Sequence, residues 1–87
     1  MFFLERLENL ERIAQFIRQE RTGDAKDFAR RCGLSKDALF DQIDNLRQIL
    51  AKDEVKIRYD RGRKTYYFEP RGKFVVKFIP DNQIVAN

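Results

Sequence analysis

The sequence has no histidine and a single cysteine, Cys32, so histidine acid–base chemistry, a Cys/His zinc site and an internal disulfide are excluded by inventory. It also lacks any run approaching the roughly 20 apolar residues that a bilayer-spanning helix requires. Met1 to Leu4 is apolar but is followed by Glu5, Arg6 and Glu8, too soon for a signal h-region. A cytoplasmic protein without membrane contact is expected. No internal repeat or low-complexity tract is present, and no nucleophile, base and orienting group can be named together, so no enzyme is expected. Nor does the sequence suggest a cofactor or a small-molecule substrate. The acidic pairs along the chain have nothing nearby to push two carboxyl pKa values apart, and they read as solvated faces.

What is present is 87 residues, 43% hydrophobic and 37% charged, with eight Phe and three Tyr. That length leaves no room for a second core, and that composition supports one modest core under a strongly solvated surface. One domain over residues 1–79 with a loose tail at 80–87 is expected. The net charge is +4, and its distribution says more than its sum. Between Val55 and Lys73 stand seven basic residues (Lys56, Arg58, Arg61, Arg63, Lys64, Arg71, Lys73) against two acids, Asp60 and Glu69. The rest of the chain is near neutral, so an anionic partner would meet this stretch.

From Phe3 to Arg21 the apolar residues Phe3, Leu7, Leu10, Ala14 and Ile17 recur at helical spacing, with Leu4 and Ile13 on the flanks, and Thr22-Gly23 offers the glycine that ends a helix. Asp24 is a cap for a short second helix, about Ala25 to Arg31, with Asp27 in the capping-box position. Gly33 stops that helix, Leu34 follows as an apolar plug, and Ser35 caps a third helix running to about Ala51. Its buried stripe is Leu39, Ile43, Leu46 and Leu50. Cys32 falls where the turn needs a small apolar group. Phe2 and Phe16 lie off the first helix's stripe and read as core extension, with a second subunit as the alternative.

After Glu54 the period switches to two. Val55, Ile57 and Tyr59 alternate with Lys56 and Arg58, a five-residue loop Asp60-Arg61-Gly62-Arg63-Lys64 follows, and Thr65 to Glu69 supplies a second strand. Tyr66 and Phe68 share its core face, and Tyr67 points away. Pro70-Arg71-Gly72 turns the chain, and Lys73 to Ile79 reads as a third strand covered on both sides, before the tail from Pro80. The expected fold is thus mainly α with a small antiparallel sheet.

Ala29, Gly33 and Ser35 have the spacing of a tight helix-turn-helix: a small residue where helices cross, glycine in the turn, and a capping serine, with Leu39 plugging the corner. The string Ala29-Arg30-Arg31-Cys32-Gly33-Leu34-Ser35, together with Tyr59-Asp60-Arg61 and Lys64-Thr65-Tyr66-Tyr67-Phe68, resembles the winged helix-turn-helix of bacterial transcription regulators of the DeoR and biotin-repressor type. These motifs cover roughly half the chain. The resemblance implies a three-helix core with a β-hairpin wing, here with an extra C-terminal strand. It also implies a DNA-binding regulator whose third helix enters the major groove while the wing touches the backbone or the minor groove.

One departure counts. The exposed face of the third helix shows Lys36, Asp37, Phe40, Asp41, Asp44, Arg47 and Gln48, so three carboxylates would oppose the counterion release that drives binding. The wing is therefore expected to dominate, with Lys56, Arg58, Arg61, Arg63 and Lys64 on phosphates. Ser35, Lys36, Phe40 and Arg47 complete the candidate contacts to double-stranded DNA. The rival expectation is a protein-interaction domain on the same scaffold, offering the acidic third helix and Phe40 to a basic partner. A homodimer fits either reading.

Overall fold

The structure, a computed structural model, describes residues 2–74, with side-chain surroundings from residue 7. Three helices come first, α1 (Phe2–Gln19), α2 (Ala25–Cys32) and α3 (Lys36–Leu50), followed by a 3-10 turn at Ala51–Asp53 and two strands, β1 (Lys56–Asp60) and β2 (Thr65–Glu69). The molecule is mainly helical with a two-stranded antiparallel sheet. Of the expected third strand, Lys73 and Phe74 are not in strand conformation. Its remainder and the tail from Pro80 lie outside the described residues, as do the side chains of Phe2, Phe3 and Leu4.

Leu10, Ile13, Ala14 and Ile17 bury the inner face of α1. The helix ends two residues earlier than its apolar period suggests. Glu20, at φ 56°, takes the left-handed reversal, and its N–H donates to the Ile17 carbonyl at 3.0 Å. The glycine expected to end the helix, Gly23, instead serves the next loop. It sits at φ 75°, where a Cβ would lie 2.7 Å from that of Asp27.

Asp24 caps α2 by accepting from the Asp27 N–H at 2.9 Å, while the Asp27 carboxylate pairs with Arg30. At the other end Gly33 adopts φ 69°, and the Leu34 N–H reaches back to the Ala29 carbonyl at 2.9 Å, a Schellman closure. A Cβ on Gly33 would touch nothing, so the backbone dihedral alone calls for glycine. Ser35 then caps α3 through Oγ to the Ala38 N–H at 3.1 Å. Leu39, Ile43, Leu46 and Leu50 are buried, and Phe28 and Ala29 of α2 pack beside them.

In the sheet Ile57 faces Phe68, Tyr59 faces Tyr66 and Arg58 faces Tyr67. The inner face closes on the helices through edge and tilted ring contacts that run Phe16–Phe28–Tyr66–Tyr59, with centroid separations of 6.0, 5.7 and 4.8 Å. Phe16 is thereby an extension of the core. Tyr59, whose strand position suggests burial, remains partly open because it caps the end of that chain of rings. The loop before α2 is fastened to β2 by two buried threonines. The Thr22 N–H donates to Thr65 Oγ1 at 3.2 Å, and the Tyr66 N–H donates to Thr22 Oγ1 at 2.9 Å.

Candidate nucleic-acid interface

The outer face of the ribbon carries the charge that the sequence concentrates there. Asp60, the last residue of β1, builds the tip. Its Oδ1 accepts from the N–H groups of Gly62 and Arg63 at 2.9 and 3.1 Å, and its Oδ2 accepts from Arg63 Nε at 3.0 Å. Four residues, 61–64, therefore make the loop where five were expected, and Lys64 closes it at φ 52°. The same bonds, those from the Arg63 side chain foremost, hold the Asp60 carboxyl below its usual pKa.

Arg63 is held from three sides. Besides Asp60 it reaches Glu20 through Nη1 at 2.7 Å, and its guanidinium lies 5.9 Å from the centre of the Tyr67 ring. Arg71 meets the same Glu20 carboxylate, with Nε at 2.5 Å and Nη2 at 3.4 Å. Arg71 first and Arg63 second hold the Glu20 carboxyl below the ordinary range. Arg58 pairs across the ribbon with Glu69.

Two of the arginines expected to neutralise phosphates, Arg58 and Arg63, are thus engaged by the protein's own carboxylates. The physical reason is proximity: the two acids inside the basic stretch sit on the same face, and the fold adds Glu20 as a third. Arg47, also expected at the interface, is bound within the chain. Its Nη2 donates to the Ile57 carbonyl at 3.1 Å and its Nη1 stands 3.5 Å from Asp44, so it staples α3 to β1. Ser35 Oγ accepts the cap bond of α3, which leaves its hydroxyl proton free to donate to a phosphate.

Lys56, Arg61 and Lys64 remain exposed with no ion pair among the described residues, and so does Lys36 at the start of α3. Lys64 also acts at a distance on Asp24, whose carboxyl is lowered chiefly by its cap bond from the Asp27 N–H. On α3, Asp37, Phe40, Asp41 and Asp44 all face solvent, Phe40 being 40% exposed. Cys32 is buried, and burial pushes its thiol pKa up, so it stays protonated and unreactive at neutral pH.

Sequence reasoning missed Glu20, the Thr22–Thr65 contact and the 42% exposed Ile49. For Ile49 a signal existed, since it falls outside the α3 stripe. The other two join segments far apart in the chain and leave no local trace. Among the described residues no cluster of His, Cys, Asp and Glu could hold a metal ion, and no helix is long and apolar enough to cross a membrane. Compared with known proteins, the chain matches no family model, no curated protein and no solved structure.

Proposed function

We propose that this is a DNA-binding module of the winged-helix kind, a transcriptional regulator by role, in which the ribbon grips the duplex backbone. The observation that carries the reading is the set of exposed cations Lys56, Arg61 and Lys64, without carboxylate partners among the described residues, on one β-ribbon. Phosphate contacts from such cations release counterions and supply affinity without regard to sequence. The tight turn between α2 and α3, closed by Gly33 and capped by Ser35, supports the same reading, because it leaves Lys36 exposed at the first position of α3. Asp37, Asp41 and Asp44 limit how closely α3 approaches the phosphate rails, so the ribbon supplies most of the affinity.

An electrophoretic mobility shift with random duplex at low salt tests this. The wild-type chain is expected to shift the duplex and the K56A/R61A/K64A variant to lose the shift. No shift by the wild type, or an equal shift by the variant, contradicts the reading.

Phe40, exposed on α3 between carboxylates one helical turn to either side, favours a second reading. In it α3 docks on a basic protein, and Asp37, Asp41 and Phe40 substitutions remove a partner that the ribbon variant retains.

A further inference from the structure

Glu20 has features that a helix-terminal glutamate does not need. It occupies the left-handed backbone region, where a residue with a Cβ is disfavoured, and its side chain is only 13% exposed although it is charged. Two guanidiniums converge on it from opposite ends of β2: Arg63 precedes the strand in the tip loop and Arg71 follows it. Arg71 brings Nε and Nη2 to the two carboxylate oxygens, and Arg63 brings Nη1. Forked guanidinium donors of this kind match a carboxylate and a phosphodiester equally well.

We infer that Glu20 is an internal stand-in for a phosphate, holding Arg63 and Arg71 in a ready-made phosphodiester site that the duplex cannot use while the carboxylate occupies it. The inference rests on the DNA reading above and deepens it by dividing the ribbon's cations into two sets. Lys56, Arg61 and Lys64 are available in the free protein. Arg63 and Arg71 are held back, at a position already shaped for the backbone of a nucleic acid. Removing the charge of Glu20 while keeping its shape should free Arg71 and leave Arg63 with Asp60 alone, without disturbing the first set, since none of the first touches Glu20.

The test is fluorescence anisotropy with a labelled random duplex across a salt series, using wild type, Glu20→Gln and E20Q/R63A/R71A. Each phosphate contact adds about 0.9 to the salt slope, so the freed Arg71 steepens it by about 0.9. Between about 50 and 200 mM salt E20Q should therefore lose about three- to fourfold more affinity than wild type, starting from tighter binding at the low end, and the triple variant should return to the wild-type slope. In wild type, the arginine Nε–H resonances of Arg63 and Arg71 should stay in place as duplex is added while that of Arg61 moves. This measurement holds whether or not E20Q folds.

A slope unchanged in a folded E20Q, or wild-type Arg63 and Arg71 signals that move with those of Arg61, overturns the stand-in role and leaves the DNA reading intact. Absence of binding by wild type and E20Q alike overturns the DNA reading and this inference with it.

Discussion

Thr22 makes contacts that few other side chains could. It is fully buried, its hydroxyl proton goes to the Gly23 carbonyl at 2.8 Å, and its oxygen accepts the Tyr66 N–H. Thr65 uses its own proton on the Tyr66 carbonyl at 3.0 Å while accepting from the Thr22 N–H. Replacing Thr22 with the isosteric Val keeps the volume and leaves the Tyr66 N–H without an acceptor, a loss of about 1–3 kcal/mol. Thermal unfolding should show a Tm lower by several degrees, and an unchanged Tm would contradict the role given to this contact. Arg47→Ala separates structure from function at the same scale. Because its guanidinium is bound to Ile57 and Asp44, the change should lower Tm and leave duplex affinity as it was. Weaker binding at unchanged stability would return Arg47 to the interface.

Among the elements, those that depend on near neighbours were readable in advance. Asp24, Gly33 and Ser35 act through bonds spanning three to five residues, and the stripe of α3 follows its own period, so cap, turn and buried face could all be placed from the sequence. The ribbon's strands were legible for the same reason. The end of α1 was not, because it is set by Glu20 meeting Arg63 and Arg71, the latter 51 residues away, and no local pattern records such a contact. The pairing of Arg58 with Glu69 was hidden until the register put them diagonally across the sheet. The 3-10 turn after α3 ends at Glu54 in the left-handed region, φ 58°, with an exposed side chain. Glycine adopts that conformation freely, so Glu54→Gly should stabilise the chain by about 0.5–1 kcal/mol. A fall in Tm on that substitution would show that the Glu54 side chain has a contact of its own.

For the whole molecule, the fold sets its own carboxylates among its cations. Glu20, Asp24 and Asp60 are all more acidic in the folded chain than normal, through Arg71 and Arg63, the Asp27 N–H, and Arg63 respectively. Through the acid range the unfolded chain then binds more protons than the folded one, so stability rises with pH there. Tm should be level above about pH 5, where unfolded carboxyls are already ionised, and should fall as pH drops toward the folded pKa values. The guanidiniums of these pairs are exposed, so the fall should shrink in high salt, and E20Q should show less of it. A Tm that does not fall with acid would deny these carboxylates their part in holding the ribbon. The salt dependence of wild-type binding to random duplex probes the ribbon's grip without any substitution. With Lys56, Arg61 and Lys64 as the phosphate contacts, log affinity against log salt should be linear with a slope of about −3. A slope near zero, or no binding even at low salt, would contradict a backbone-gripping ribbon.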